Sequence, residues 1–345
     1  MVSMDNCSHN GDVLRAGVEG IAKKWVENGL VEAGFTAYLA EPKKVSFPWT
    51  MLDKITPRPD KAVEELLNKD DIDDLKPIVT KRNTFIAPFV NAEQSQYLVI
   101  EDWFPNERPA LEKGGIIFTA RETVDKVERM KVCTCLNPIH TTLAVFGCLL
   151  GFPKICDEMK DETLTKLIKK IGYEEGLKVV SDPKVINPKD FIDDVVQVRF
   201  PNPFMPDTPE RIATDTSKKV GIRFGETIKA YRDSEELDVA ELKFIPIVFA
   251  GWLRYLKGIN DVGKEMPCSP DPLLDMVIAG RDKVAFGNPG RIEEIEAAVR
   301  PLLEDASIFG VNLYEVGMGR KVCELYAEMM AGPGDVRAIL EKYVG

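Results

Sequence analysis

The chain has 345 residues, with 45 lysines and arginines against 56 aspartates and glutamates, so its formal net charge is −11. A surface of this sign disfavours general binding of nucleic acids, whose phosphates must be neutralised by basic side chains. Hydrophobic residues make up 44% of the chain and charged residues 29%, which is typical of a globular protein with a sizeable core.

The cysteines and the apolar runs of the sequence indicate the cellular compartment of the protein. The seven cysteines are odd in number and have no framework spacing, which favours reduced thiols. The first ten residues lack the apolar core of a signal peptide. The longest apolar run, at 143–152, is shorter than the roughly 20 residues that span a bilayer. We therefore predict a cytoplasmic protein with neither a membrane nor a nucleic acid as partner.

The first third of the chain mixes predicted strands with predicted helices. Met1–Asn6 is predicted to be the end of a strand, and 45–47, 78–79 and 97–101 are predicted as further strands. A helical rhythm of apolar residues predicts a helix over 12–30 that ends at Asn28-Gly29. The charged stretch 69–74 is predicted to be a solvated connection.

From about residue 123 the pattern is helical, with Pro and Gly at the joints. Thr208 is predicted to be an N-cap before Pro209. Helices are predicted at 123–135, 139–151, 158–172, 208–233, 236–257, 272–283, 291–305, 308–330 and 334–343. The fold class is therefore α/β followed by mostly α, with domains at 1–122 and 123–345.

Of the two histidines, His9 and His140, only His140 has neighbours that suggest chemistry. Glu128 and Lys131 stand three residues apart and would share a helix face. A lysine partly removed from water there could give up its proton and act as a base. Asn137 and His140 could then hydrogen-bond a developing alkoxide. Judged by spacing alone, an exposed Glu128–Lys131 ion pair is the more ordinary explanation.

Two further motifs are weak. Cys133, Cys135 and His140 lack a second pair of ligands, so we predict no metal site. Gly317-Met-Gly319 is half of a dinucleotide loop, but it follows no strand and lies in a segment predicted to be helical. We therefore predict that it does not bind phosphate.

Cationic and polar side chains surround the proline-rich stretch FPNPFMPDTP, and they could bind a carboxylate or a polyhydroxyl compound. A solvated loop and helix start would explain the same residues. They are Arg199, Asn202, Arg211, Lys218 and Lys219.

Several short motifs follow one another across most of the chain. They are Ser3–Asn6 with Asn10-Gly11, Phe47–Pro57, Val99–Asp102 with Arg108–Lys113, Glu128-x-x-Lys131, Leu136-Asn137-x-x-His140, Arg211 with Lys219, and Trp252–Gly258. No single motif is specific, but the ordered set resembles the long-chain mannitol dehydrogenase family, which includes fructuronate and tagaturonate oxidoreductases. The resemblance implies metal-independent hydride transfer between NAD(H), or NADP(H), and a secondary alcohol or ketose.

The resemblance also implies a role for individual residues. Lys131 is similar to the family's general base, and Glu128 to the carboxylate that assists proton exchange with solvent. Asn6 and Asn137 are similar to the pair that stabilises the alkoxide. Residues implied to position the substrate are His140, Asp53, Arg211 and Lys219. Asn202, from the polar stretch described above, is predicted to bind the substrate with them. Residues implied to contact the cofactor are Asn6, Leu52 and Asp53.

The chain departs from the family pattern in two ways. Family members begin with a Rossmann-type segment of about 200 residues that carries the glycine-rich loop. This sequence opens near a late strand of that segment, so we expect it to bind NAD poorly unless a missing N-terminal segment completes it. The spacing from Lys131 to Asn137 is also one residue longer than in the mannitol-active pattern. We therefore predict a break or π-bulge between Cys133 and Pro138, with Asn137 as an N-cap.

The leading hypothesis is an oxidoreductase that interconverts a hexuronate-derived ketose, fructuronate or tagaturonate, and its aldonate. A mannitol or polyol 2-dehydrogenase is the close alternative. A truncated, catalytically incompetent binding subunit is the alternative of another class.

Overall fold

The computed structural model describes residues 1–54, 59–90, 92, 96–205, 207–278 and 283–345. The chain divides into two compact units. Unit 1 comprises Met1–Met130 and Ser181–Asn187, and unit 2 comprises Lys131–Val180 and Pro188–Gly345. The first change from unit 1 to unit 2 therefore lies eight residues after the domain boundary predicted between residues 122 and 123. The short segment Ser181–Asn187 belongs to unit 1 again.

Unit 1 contains a mixed three-stranded sheet. Strand β4 lies in its centre, antiparallel to β1 and parallel to β5. Strands β2 and β3 form a separate antiparallel pair. The bounds are β1 Thr50–Asp53, β2 Ile78–Val79, β3 Phe85–Ile86, β4 Tyr97–Glu101, β5 Ile117–Thr119, α1 Asn10–Glu27, α2 Gly34–Ala40, α3 Lys61–Lys69 and α4 Arg121–Met130.

The core of unit 1 is small. Met51 and Val99 of the sheet pack with Val124 and Val127 of α4. The apolar rhythm that predicts a helix over 12–30 is confirmed in α1, which ends at Asn28 with Gly29 at a φ of 66°. The strands at 78–79 and 97–101 are confirmed as well.

Two predicted strands of unit 1 are wrong. Met1–Asn6 and Val45–Phe47 have no ladder partner among the described residues. Side chains and the chain terminus hold these segments instead. The amino group of Met1 donates to Ser46 O (2.7 Å), and Thr50 Oγ1 donates to Ser3 O (2.7 Å). An apolar, β-prone run becomes a strand only where a second strand accepts its backbone hydrogen bonds.

The regular elements in the described part of unit 2 are helices, joined by turns and irregular backbone. Its α-helices are α5 Asn137–Leu150, α6 Ile155–Glu158, α7 Glu162–Lys169, α8 Pro188–Asp194, α9 Pro209–Ala213, α10 Glu226–Arg232, α11 Ile245–Tyr255, α12 Leu274–Ile278, α13 Ile292–Leu303, α14 Ala306–Phe309, α15 Gly319–Met329 and α16 Asp335–Val344. The fold class, α/β followed by mostly α, is confirmed.

Helices α5 and α11 form the centre of unit 2. Every residue of α11 is buried, and most residues of α5 are buried too. Gly251 of α11 lies against the Phe146 ring of α5, and a Cβ there would be about 2.5 Å from Phe146 Cζ. The two helices can approach this closely because Gly251 has no side chain.

Long-range carboxylates cap two helices of unit 2. Glu175 accepts hydrogen bonds from the backbone N–H groups of Lys243, Phe244 and Ile245, at the start of α11. Asp261 accepts from Val336 N (2.9 Å) and Arg337 N (3.2 Å), at the start of α16. Each carboxylate thus satisfies N–H groups that lack a partner within their own helix.

Several helix predictions need correction. The helix predicted at 236–257 begins only at Ile245, because the Glu175 cap fixes its start. The helix predicted at 308–330 is broken between α14 and α15, where Gly310 and Gly317 have φ of 78° and 77°. Gly317 and Met318 therefore form a turn before α15, and Gly319 is the first residue of that helix. Helix α8 was not predicted, and the end of the helix predicted at 272–283 lies outside the described residues.

The helical stretch Arg121–Leu150 is long and apolar enough to cross a membrane, the one such stretch among the described residues. The expectation that every apolar run is too short is therefore wrong by this measure. However, 83% of its apolar window is buried inside the protein. The core helix of a protein without a membrane passes the same test, so the stretch is weak support for a membrane span.

Candidate functional site

Lys131 begins a π-helical segment, Lys131–Cys135, in which Leu136 N donates to Lys131 O (3.1 Å). The predicted break before Pro138 is confirmed, although the wide turn starts two residues earlier than expected. Asn137 is the first residue of α5 and not its N-cap; Leu136 holds that position without a side-chain hydrogen bond. The extra residue between Lys131 and Asn137 is accommodated in this wide turn.

Four π-helical segments occur in the described part of unit 2, and three of them carry a cationic residue of the candidate site. Lys131 begins the first, Arg199 ends Val195–Arg199, and Arg223 lies in the middle of Gly221–Gly225. The fourth, Lys170–Gly176, carries the capping residue Glu175. Lys131 is only 4% exposed and Arg199 only 6%. Wide turns of this kind occur frequently at functional sites.

His140 lies on α5 and is nearly buried, with its ring 4.9 Å from that of Phe200. Burial and, after it, the positive charges of Arg223, Arg211 and Arg199 in that order lower its pKa to about 3. The imidazole is therefore neutral at physiological pH. Its Nε2 lies 3.5 Å from Asp207 Oδ2 but makes no hydrogen bond in the described residues. We regard this pair as a contact at the long limit.

Arg211 and Lys219 lie in the same cluster. Thr208 caps α9 as predicted, and Arg211 on that helix donates to Asp207. Lys219 Nζ donates to Thr214 O (2.5 Å). Burial lowers the pKa of Lys219, and Arg223 is the next largest cause. Arg211 and Arg223 thus each lie near enough to lower the pKa of both His140 and Lys219.

Arg223 is the residue that the sequence analysis missed. Its Nη1 donates to Thr141 Oγ1, and that hydroxyl donates to Asn137 O (2.9 Å). This chain of hydrogen bonds joins Arg223 to the start of α5. A four-residue spacing from Lys219 within a helical pattern was the available signal.

Asn202 has a local structural role. Its Oδ1 accepts from Phe204 N (3.0 Å), which stabilises the turn before Met205. This contact occupies the amide oxygen, and the backbone N–H of Asn202 donates to Arg199 O (3.2 Å), next to the arginine that ends the π segment. Its role in positioning a substrate stays a prediction.

The candidate residues of unit 1 lie near the start of the chain and on β1. Asn6 is exposed in a loop. Asn10, 1% exposed, fixes this loop by donating to Asp5 O (2.7 Å) and accepting from Thr50 N (3.0 Å). Asp53 is buried at the end of β1. The end of the Phe47–Pro57 motif, at 55–57, lies outside the described residues.

Leu52 lines a cavity of about 440 Å³ in unit 1, together with Met4, Tyr97 and the glycines 114–115. This volume lies in the range of small-molecule pockets. A second cavity, of about 620 Å³, lies in unit 2 between 257–259 and 265–268, and no candidate site residue lines it. Glu128 is half-buried on α4, in unit 1.

His9 has a structural role. It stacks on Trp49 with ring centroids 4.0 Å apart, and its Nε2 lies 3.0 Å from Asp125 Oδ1. The seven cysteines are free thiols, and five of them are buried. Among the described residues, no three His, Cys, Asp or Glu side chains gather as metal ligands.

The sequence of the chain matches the model of a known protein family. The family model named mannitol dehydrogenase C-terminal domain matches residues 123–315, more than half of the chain. The chain belongs to the mannitol dehydrogenase family. The family match begins at residue 123, within α4.

Relatives and solved structures agree with this assignment. The D-mannonate oxidoreductase of Thermotoga maritima is 54% identical over all of this chain and 63% of its own length. The polyol:NADP oxidoreductase of Gluconobacter oxydans is 28% identical over 76% of this chain and 49% of its own. Mannitol 2-dehydrogenase of Pseudomonas fluorescens, in a ternary complex with NAD and D-mannitol, has a TM-score of 0.66 and 26% identity over 99% of this chain and 61% of its own. The chain thus spans between 49% and 63% of the length of these relatives.

Proposed function

We propose that the protein is an NAD-dependent oxidoreductase that interconverts an aldonate, such as D-mannonate, and its ketose, fructuronate or tagaturonate. The observation that carries this proposal is the cationic cluster beside His140. Arg199, Arg211 and Arg223 lie near a neutral imidazole, with Asp207 as the carboxylate closest to it. Lys219 adds a further positive charge near Arg211 and Arg223. Such a cluster favours a substrate with a negative charge. The name of the Thermotoga maritima relative, a D-mannonate oxidoreductase, supports the same substrate class.

Lys131 is the proposed general base. Its burial at the first position of a wide turn, six residues before Asn137, suits a group that takes the hydroxyl proton as hydride leaves the neighbouring carbon. The side chain of Asn137 would donate to the resulting alkoxide. Neutral His140 would hydrogen-bond a neighbouring hydroxyl, and Arg211 and Lys219 would position the substrate.

The remaining roles rest on the family resemblance and, for Asn202, on the polar stretch that contains it. We propose that Asn6 assists in stabilising the alkoxide, that Glu128 exchanges protons with solvent, and that Asp53 and Asn202 help to position the substrate. Residues 1–122 are proposed to belong to the cofactor domain and 123–345 to the catalytic domain. A cytoplasmic location is part of the same proposal.

NAD fits the described residues in part. The cavity beside Leu52 has the volume for one portion of a dinucleotide, and Asn6, Leu52 and Asp53 are the proposed contacts. No phosphate-cradling glycine loop occurs in this sequence. When bound, NAD would supply the hydride acceptor.

A substrate panel tests the function. Purified protein is assayed with NAD and NADP for oxidation of D-mannonate and D-mannitol, and with the reduced cofactors for reduction of fructuronate, tagaturonate and fructose. We expect turnover of the acids with NAD. Turnover of mannitol and fructose without turnover of the acids would make the protein a polyol dehydrogenase. Binding of an acid with no turnover under any condition would leave only the binding-subunit alternative.

A further inference from the structure

Arg223 is held in place by the packing of the turn that carries it. Gly221 and Gly225 flank this turn, and both lie against the backbone of 308–310 so closely that a Cβ at either position would collide with a carbonyl oxygen. Phe224 is fully buried, and its ring packs on Phe249. The backbone around Arg223 is therefore fixed on both sides, and its guanidinium group is presented from a rigid element.

The charge of Arg223 is not balanced by an ion pair in the described part of the chain. Its hydrogen bond goes to Thr141 Oγ1, a neutral acceptor. Arg211, by contrast, pairs with Asp207, and exposed Arg232 pairs with Asp233. Burial lowers the pKa of Arg223 to about 10, so the group is still protonated at neutral pH. An enclosed cation without a carboxylate is costly unless an anion joins it.

Arg211 and Lys219 lie near Arg223 and add to the positive charge there. The positive charge of Arg223 lowers the pKa of both His140 and Lys219, and the charge of Arg211 lowers the pKa of the same two groups. Asp207 already accepts from Arg211, and Asp271 accepts from both the backbone N–H and the hydroxyl of Ser217. Asp207 and Asp271 therefore have other partners, and a third carboxylate, Asp215, raises the pKa of Lys219.

Thr141 connects this cation to the proposed chemistry. It is fully buried on α5, accepts from Arg223 and donates to the backbone oxygen of Asn137. An anion held at Arg223 would thus lie at a fixed separation from Asn137, the proposed donor to the alkoxide. A sugar acid carries a carboxylate and a reacting hydroxyl on one short carbon chain, and a site for it must fix both.

We propose that Arg223, oriented by Thr141, binds the carboxylate of the sugar acid and so selects aldonates and their ketose acids over neutral polyols. This inference rests on the proposed function and adds to it the residue that distinguishes acidic from neutral substrates. The planar guanidinium group can donate two parallel hydrogen bonds to a carboxylate, which a neutral hydroxymethyl group cannot match.

Arg223→Gln tests this role, with Arg232→Gln as the matched control on the same helical stretch. We expect KM for D-mannonate to rise about 10- to 100-fold in Arg223→Gln, since a charge-assisted hydrogen bond is lost. KM for D-mannitol, where it can be measured, should stay within about twofold, and Arg232→Gln should match wild type. An equal loss on both substrates, or no loss on D-mannonate, would overturn the proposal.

A second variant separates a role in binding from a role in folding. Arg223→Lys keeps the charge and loses the fork, so its KM for D-mannonate should lie between those of wild type and Arg223→Gln. Calorimetric titration with D-mannonate alone gives a readout without turnover. If wild type binds D-mannonate but does not oxidise it, the proposed function fails. The role of Arg223 is then still tested by whether Arg223→Gln weakens the binding of D-mannonate. Unchanged binding in this titration would contradict the assignment.

Discussion

In unit 2, Glu175, Asp261 and Arg254 are charged groups whose hydrogen bonds reach distant backbone atoms. Arg254 is fully buried and donates to Met329 O (3.1 Å) and Asn260 O (3.1 Å). Unit 1 has a four-residue apolar cluster, while most of the exposed large apolar side chains of the described residues lie in this smaller unit. The comparison shows that the cationic site stands in the unit whose polar groups are fixed by long-range contacts. Preorganised charges of this kind are what a substrate site requires.

The first way to test this comparison is to remove the proposed base from unit 2. Lys131→Met should lower kcat by about 10²- to 10⁴-fold, because a positioned base contributes this much to proton transfer. Steady-state kinetics measure the effect. Lys126→Met, at an exposed position of α4, is the control and should keep wild-type kcat. A Lys131→Met enzyme with wild-type kcat would remove Lys131 from the mechanism.

The second test breaks a long-range cap. Glu175→Ala leaves the backbone N–H groups of 243–245 without their acceptor, so the free energy of unfolding should fall by about 3–5 kcal/mol. Urea unfolding followed by circular dichroism measures the change. Glu174→Ala, whose side chain is 60% exposed, should change it by less than about 1 kcal/mol. Equal effects of the two variants would show that the cap does not stabilise α11.

The third test addresses the apolar cluster of unit 1. Met51→Ala should cost about 2–5 kcal/mol, since Met51 is 4% exposed and the cavity cannot be refilled easily. Hydrogen exchange should show lost amide protection in β4, with α11 and α15 unchanged. Met4→Ala, at an exposed position, is the control. Loss of protection in α15 as well would mean that the two units unfold together.

The fourth and smallest effect concerns Glu158, a fully buried carboxyl whose oxygens have no hydrogen-bond partner in the described residues. Burial raises its pKa well above the ordinary 4.5, and Glu210 raises it further. The folded protein therefore binds a proton that the unfolded chain releases above about pH 4.5. This group lowers stability as pH rises through and beyond that value.

Glu158→Gln should remove this pH-dependent loss. We expect the variant to be more stable than wild type by about 1–2 kcal/mol at pH 8, with a smaller difference near pH 4.5. Thermal unfolding at both pH values measures it. Glu162→Gln, at an exposed position of α7, should show no such dependence. A difference that grows on acidification would have the wrong sign for this explanation.

Local signals account for what the sequence predicted correctly. Asn28-Gly29 ends α1, Thr208 caps α9, and the β-branched run of β4 forms a strand, because each signal acts within a few residues. The wide turn after Lys131 was also predictable, since Pro138 and the longer spacing required one. The helical pattern after residue 123 predicted the character of unit 2.

Long-range contacts account for what was missed. Arg223 reaches Thr141, 82 residues away, and Glu175 reaches the start of α11 across 68 to 70 residues. No pattern within one helix encodes such partners. The strand expected at Met1–Asn6 failed for the same reason, because pairing depends on a neighbour that local sequence does not specify.

The π segment Lys131–Cys135 also marks a place where the chain can gain or lose one residue in evolution without destroying the helix on either side. Deleting one residue there would restore α-helical hydrogen bonding and leave the later residues of α5 facing as they do now, because the wide turn takes up the extra residue. The length of the chain can therefore change by one codon at this point while Asn137 and His140 keep their orientation relative to the helices that pack on α5.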